Sequence, residues 1–530
     1  MPRTPLLRSI KRLVSQCRTS GEKGCVDGAG LSRREFVLGG ATLAAAASMP
    51  GSAWAGKSRP SVAIIGGGMA GLNCALTLAD HGVAATIYEA SPRVGGRMFS
   101  NQHYWDDAQV SEWCGELIDT GHKTVRQLAK RFGLALDDLL AAQPKGAEDT
   151  YYFGGQFYPQ HQAELDFQAL AAAVDADLAA AGYPTRFDSY TEAGYALDQM
   201  SVYEWIESRV AGGHVSRLGQ LLDVAYNIEY GAETRDQSAL NLLYLLAYQP
   251  SPNNFAIFGE SDERFHIRGG NESLPKAMAA SLGAERVRLN HRLIKLSKNS
   301  VGGYDMVFNA GSGVLNVSVD IVVLAVPFSV LREIDYTDAG FDARKRLAIQ
   351  ELGRGRNGKL QLQFDHRLWN RQGAWPGVSN GSSYSDTGYQ GSWDVSRGQP
   401  GSSGIMVFYS GGDTTGAMST ERPFATASLP AAEQDARRCL RQAESVFPGL
   451  THAWNGKITQ SLPHLSPYFK ASYAYYSVGQ YTAFGGYEGE AQGRVAFCGD
   501  HTSQDYQGYM EGAASEGERA GRQVLKWVRT

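Results

Sequence analysis

Cysteine is scarce in this chain, six residues in 530, and none is spaced as a CxxC pair or a metal-ligand cluster. That argues against a disulfide-built scaffold and a cysteine-ligated metal centre. Cys17 and Cys25 fall before residue 55. Cys74 on an expected helix and Cys498 at an apolar strand read as core thiols, and Cys114 and Cys439 complete the set. Such sparse usage suits folding in a reducing compartment. Positive charge is not in excess either: 50 Lys and Arg stand against 54 Asp and Glu, a net charge of −4. An acidic balance argues against nucleic acid as a partner. Internal repeats, long linkers, a Ser-His-Asp order and paired-carboxylate motifs are also missing. No metal is expected, and the chemistry must come from a bound reagent.

What is present begins with size. At 530 residues, 43% hydrophobic and 20% charged, the chain fits a soluble globular protein of two or more domains. Its 62 glycines suit many tight turns and close approach of backbone to ligand. The first 34 residues carry eight Lys or Arg against Glu22 and Asp27. Ser32-Arg33-Arg34-Glu35-Phe36-Val37-Leu38 then leads into an alanine-rich run ending near Met49, with Ala53-Trp54-Ala55 beyond it. The run is too short to span a bilayer, which takes about 20 apolar residues. Residues 1–55 resemble a twin-arginine signal, an address read by a translocon rather than a membrane anchor. The resemblance implies export of the folded protein, leaving it periplasmic or secreted. Cleavage after Ala55 would remove eight of the 50 basic and three of the 54 acidic residues, leaving a net charge of −9. An Arg pair capping a buried helix is the alternative. The stripe Leu6, Leu7, Ile10, Leu13 and Val14 leaves a retained helix open.

Ser61-Val62-Ala63-Ile64-Ile65 is a continuous apolar strand that runs into Gly66-Gly67-Gly68-Met69-Ala70-Gly71 and then a helical pattern, Leu72 to Leu78. A glycine motif between strand and helix is the context of a dinucleotide site. Gly66 makes the tight turn, Gly68 admits the pyrophosphate, and Gly71 allows close helix–strand packing. Met69 and Ala70 open the helix whose free N–H groups face the phosphates. A second strand, Ala84 to Tyr88, ends on Glu89, 23 residues beyond Gly66 and beside Ala90. Such an acid, about 20 residues on, binds a ribose and repels a 2′-phosphate.

Arg93-Val94-Gly95-Gly96-Arg97-Met98-Phe99-Ser100 is similar to the second glycine motif of the flavin-dependent amine oxidases. The resemblance continues in residues 269–275, in 320–327, in Gly499-Asp500-His501-Thr502 and in Gly508-Tyr509-Met510-Glu511-Gly512-Ala513. It implies an α/β fold, an FAD-binding Rossmann-like domain of the GR2 type with an interleaved helical and mixed-sheet substrate domain. The cofactor domain is expected over 60–122, 265–330 and 465–530, with a helical insert at 123–264 and a substrate-binding insert at 331–464. Helices are expected at Val125–Phe132, Phe167–Ala181, Val202–Val210, Leu218–Tyr226 and Gly512–Val524, and a hairpin at Tyr151–Tyr158 around Gly154-Gly155. By resemblance, Gly96 and Arg97 approach the pyrophosphate and Asp500, where the family usually has Glu, the ribityl hydroxyls. The backbone of Val287 would hold the adenine, and Gly115, Glu116, Gly499, Gly508, Tyr509 and Met510 would surround the flavin. Ser472 replaces the flavin-linking cysteine of animal monoamine oxidases, so FAD is expected to be held non-covalently.

Lys359-Leu360-Gln361-Leu362-Gln363-Phe364 alternates strictly, and by pattern alone Lys359 is an exposed strand lysine. The resemblance makes it instead the lysine that holds a water at the flavin. Tyr473 and Tyr509 match the two aromatics that flank a substrate amine, whereas Tyr475 reads as a packed strand residue. The segment Trp113 to His122 lacks the arginine with which snake-venom L-amino acid oxidases clamp a carboxylate. It does resemble a bacterial branch of those oxidases that also reads Gly-Glu-Leu-Ile-Asp-Thr-Gly-His. Arg354 and Arg356 are then the candidates for a carboxylate, Glu116 points toward a cationic amine, and His122 is either a cap or a substrate contact. The expected reaction is oxidation of an L-amino acid by dioxygen to a 2-oxo acid, ammonia and hydrogen peroxide. An amine or polyamine oxidase, an amide-forming oxygenase and a non-enzymatic flavoprotein are the alternatives. A homodimer is left open.

Overall fold

Four consecutive apolar residues form the first strand, β1 (Val62–Ile65), and all four are buried, as a strand covered on both faces by helices must be. The structure, a computed structural model, describes residues 60–251 and 255–529; the expected export signal at 1–55 lies outside the described residues. From β1 the chain turns through Gly66 into α1 (Met69–Ala79) and returns as β2 (Thr86–Tyr88). Gly66 has φ +109, and a Cβ there would meet the Ala325 carbonyl at 2.5 Å. Gly71 is as restricted, its Cβ falling 2.0 Å from the Gly66 carbonyl. Helix and strand therefore pack at glycine distance.

Three more strands complete the sheet: β3 (Val287–Arg288), β4 (Ile321–Leu324) and β5 (Val495–Phe497). All pair in parallel in the order β5-β4-β1-β2-β3. The order reverses between β1 and β4, and ligands of such sheets bind past the strand ends at that reversal. A last helix, α2 (Met510–Arg529), lies against α1. Cβ atoms at Gly517 and Gly521 would come within 2.2 Å of the Ala70 carbonyl and 2.8 Å of the Thr77 Cβ. The Rossmann-like expectation is met.

The second layer is an eight-stranded mixed sheet built from residues 147–158 and 357–461. Its pairs are antiparallel except Val378–Ser385 against Ala147–Phe153. The expected hairpin turns at Gly154 and Gly155, both left-handed. Helices Gln160–Ala181, Val202–Arg209, Arg217–Tyr230 and Ala239–Leu246 pack beside it. The first begins seven residues before the expected Phe167, directly after Pro159. The third runs on to Tyr230 and stops where Gly231 turns left-handed.

The alternating strand Asn357–Phe364 is buried at every position, so the exposed reading of Lys359 is overturned. Leu360, Leu362 and Phe364 join an apolar cluster with Trp369 and Phe408. The polar face is covered too: Gln361 donates to the Glu112 carbonyl and Gln363 to the Gln109 side chain. Alternation reports chemistry of the two faces, and here a polar face meets a polar layer rather than water. No helix among the described residues is long and apolar enough to cross a membrane.

Candidate active site

A cavity of about 310 Å³ runs from the ends of β1 and β2 to the mixed sheet. At its nucleotide end the Glu89 carboxylate accepts the Gly67 and Ser91 N–H groups at 2.7 and 2.8 Å. Gly68 opens α1 with no side-chain cap. A Cβ at Gly68 would find only the Gly96 Cα, 4.0 Å away, and one at Gly96 only the Gly68 Cα, at 3.4 Å. Between these two glycines the wall is bare backbone beside uncapped N–H groups, which suits a pyrophosphate. Met69, Ala70, Ala90 and Gly96 line the cavity, whereas Gly71 supports it from behind.

Arg97 pairs with Asp500 and donates to the Ser472 carbonyl at 2.6 Å. Among the described residues, the other Asp500 oxygen is buried without a partner, as are both ring nitrogens of His501 and the amide nitrogen of Gln507. All three side chains line the cavity. Burial lowers His501 to about 4, so its imidazole is neutral and needs one donor and one acceptor. Each such orphan costs about 1–3 kcal/mol. A ligand rich in hydroxyl and phosphate oxygens supplies what they lack, and FAD fits that requirement.

Val287 does not reach the cavity: it pairs with Ile87 in the sheet. Asn290, left-handed at φ +59, bends the chain there, and the Glu89 carbonyl takes the His291 N–H. That bend brings His291, Arg292 and Leu293 to the wall in place of Val287.

At the far end Lys359 reaches Glu116 at 2.5 Å, with both side chains buried. The Trp393 indole donates to the other Glu116 oxygen at 2.9 Å. Burial opposes ionisation of Glu116, yet Lys359 and Trp393 hold its pKa below the ordinary value. Both oxygens are occupied, so Glu116 is not free to receive a substrate cation as the sequence suggested. The Met510 side chain packs against Gly115, and Gly499 and Gly508 complete this part of the wall. Tyr473 hydroxyl lies 3.0 Å from that of Tyr409, and Tyr509 donates to Glu229 at 2.9 Å. Burial pushes both phenols well above their usual range. Tyr475 packs against the apolar core as expected.

Two acids on this wall escaped the sequence reading. Glu229 lies in the last turn of Arg217–Tyr230, where the helix dipole disfavours negative charge; that misplacement was the available signal. Glu263 is left-handed at φ +45, and Asp119 accepts its N–H at 2.9 Å. Such backbone costs of order 1–3 kcal/mol and gathers at functional sites. Burial, with Asp119 and Glu229 nearby, pushes the Glu263 carboxyl up to about 8.

Arginines do not balance them. Of those lining the cavity, Arg97 pairs with Asp500 and Arg292 with Glu333. Arg354 and Arg356 are exposed outside this cavity, Arg356 pairing with Asp413, so neither is placed to take a substrate carboxylate. His122 is buried away from the cavity wall, its Nδ1 accepting the Asp119 N–H at 2.9 Å. That is a structural role.

The family model for flavin-containing amine oxidoreductases matches residues 69–525. Curated relatives include pseudooxynicotine dehydrogenase of a Pseudomonas species, 23% identical over 96% of this chain and 99% of its own. An L-amino-acid oxidase of Demansia vestigiata is 24% identical over 87% and 86%. Flavin-containing amine oxidase A of Bos taurus is 26% identical over 88% and 84%. Among solved structures, cyclohexylamine oxidase from Brevibacterium oxydans IH-35A superposes with a TM-score of 0.74 at 18% identity, covering 89% of this chain and all of its own. Putrescine oxidase bound to putrescine gives 0.72 at 19%, covering 88% and 99%.

Proposed function

The chain belongs to the flavin-containing amine oxidoreductases, and from that premise we propose that it oxidises an amine bearing no carboxylate beside the reacting carbon. Dioxygen is the acceptor in this reading, and hydrogen peroxide a product. The observation that carries it is the acidic substrate wall, with Glu229 and Glu263 present and both lining arginines already paired. A substrate carboxylate placed there would be a buried charge without a partner, a cost of about 3–5 kcal/mol. An ammonium group meets the opposite field.

Held along the bare backbone of Gly68 and Gly96, FAD would supply the two-electron acceptor for oxidation of the substrate carbon–hydrogen bond. Tyr473 and Tyr509 exclude water and orient the donor. Lys359, fixed by Glu116, holds a water for imine hydrolysis or oxygen reduction. Ser472 donates to Asn357 and brings no thiol, so the flavin is held without a covalent link; acid precipitation should release it. Export by the twin-arginine route belongs to the same proposal, and Arg33→Lys with Arg34→Lys should strand active protein in the cytoplasm.

The second reading is an L-amino acid oxidase, favoured by the Trp113–His122 segment and by the Demansia vestigiata relative. Peroxide release with phenethylamine and L-phenylalanine separates the two. The proposal expects the amine to be at least ~100-fold faster, since each 1.36 kcal/mol is about tenfold. Faster turnover of the amino acid moves the assignment to the second reading.

A further inference from the structure

An amine reaches a neutral solution as ammonium, which holds the nitrogen lone pair in an N–H bond. Release of a hydride equivalent from the neighbouring carbon needs that lone pair free, so a proton must leave first. Three carboxyl groups line the substrate end of the cavity. Glu116 is committed to Lys359 and Trp393, and Glu229 accepts the Tyr509 hydroxyl. Glu263 differs. Among the described residues its carboxyl takes part in no hydrogen bond or ion pair, and only longer-range charges act on it. Its backbone is held left-handed by the Asp119 contact, which fixes where the side chain leaves the main chain.

We propose that Glu263 accepts the ammonium proton of the bound substrate, so that the neutral amine is the species oxidised. This rests on the oxidation of an amino group, which both readings of the function share. The step balances without electron transfer: R–NH3+ and the Glu263 carboxylate become R–NH2 and the carboxylic acid, which later returns its proton to solvent.

The surroundings suit the role. Asp119, Glu229 and Asp149 crowd Glu263 with like charge, and Arg397 is the cation that partly offsets them. The Tyr384, Tyr409 and Tyr509 phenols face the same space and are pushed above their usual range. On its own segment Asp262 is taken by the Thr120 N–H and Arg264 by Asp138. A carboxyl raised to about 8 by this crowding is a far better proton acceptor than a solvated one.

The test is anaerobic flavin reduction in stopped flow from pH 6 to 10, using phenethylamine and L-phenylalanine with the holoenzyme. Which compound reduces the flavin decides the substrate reading, and the pH dependence of that reduction decides Glu263. With the wild type, the second-order rate of reduction should rise with pH through an inflection near 8. Glu263→Gln should lose that inflection and reduce ~100-fold more slowly at pH 8, approaching wild type near pH 10, where free amine is abundant. Glu263→Asp should recover the inflection. A wild-type profile flat through pH 8, or a Glu263→Gln profile that matches the wild type, would overturn the proposal.

Discussion

The two ends of the one cavity are built on opposite principles. The nucleotide end is glycine and main chain: Gly66, Gly68 and Gly96 leave bare backbone, and Glu89 is anchored by two N–H groups. The substrate end is side chain and charge, with Lys359 against Glu116, Tyr509 on Glu229, and Glu263 unattached. A diphosphate needs close approach and donors fixed by the fold. A substrate amine needs a field, which side chains supply at the cost of burying charge. Damage at the first end should therefore act on cofactor retention, and damage at the second on rate.

The largest effect is expected at Gly66. With φ +109 and only 2.5 Å from a would-be Cβ to the Ala325 carbonyl, Gly66→Val must push β1 away from β4. Purified protein should be nearly colourless, with Tm lowered; a yellow, normally stable Gly66→Val protein would break the account of this end. Next comes Lys359→Met, which leaves Glu116 ionised and buried without its partner. The cost should be about 3–5 kcal/mol, read as lowered denaturant midpoint and Tm. Lys359→Met with Glu116→Gln should lose less than Lys359→Met alone. Glu116 is held below its ordinary value, so the pair's contribution is present above the unfolded carboxylate pKa of about 4.3. It should fade as pH falls below that, narrowing the gap between variant and wild type.

The asymmetry also decided what could be read in advance. Backbone-built features leave signatures in sequence, because only glycine fits at Gly66 and Gly71 and because an apolar run must precede them. Charge-built features do not. Glu229 and Glu263 are 34 residues apart in sequence, and only the fold puts both on one wall. Lys359 read as exposed because its polar face carried two glutamines, and nothing local says that residues 109–116 cover them. Val287 stays out of the cavity for a smaller reason: left-handed Asn290, three residues on, turns the chain so that His291 is the first residue of this segment to reach the wall. Arg354 and Arg356 are close to Lys359 in sequence, yet both are exposed and neither lines the cavity.

His501 sharpens the comparison, since it is a side chain at the backbone end. Its imidazole is buried, neutral and, among the described residues, without a partner for either nitrogen. If bound FAD satisfies it, His501→Phe should keep the packing against Phe328, whose ring lies 4.5 Å away, and lose one hydrogen bond. About 1.4 kcal/mol, or tenfold in FAD dissociation constant, is the expected scale. Titration of apoprotein with FAD measures it, and unchanged affinity would assign the ring to packing alone.

The smallest effect is expected from Tyr473→Phe. The Tyr473 hydroxyl donates to the Ile228 carbonyl at 3.3 Å and stands 3.0 Å from that of Tyr409. Since its one proton goes to Ile228, it accepts from Tyr409. Tyr473→Phe leaves the Tyr409 hydroxyl to find another acceptor, a loss of about 1 kcal/mol in stability. The ring that walls the substrate space remains, so kcat/KM should fall by less than ~10-fold. Tyr473→Ala removes the ring as well, admits water, and should cost ~100-fold or more. The contrast between the two variants is the measurement. If Phe were as slow as Ala, the hydroxyl would have a part in the chemistry, and the substrate end would depend on Tyr473 for more than shape.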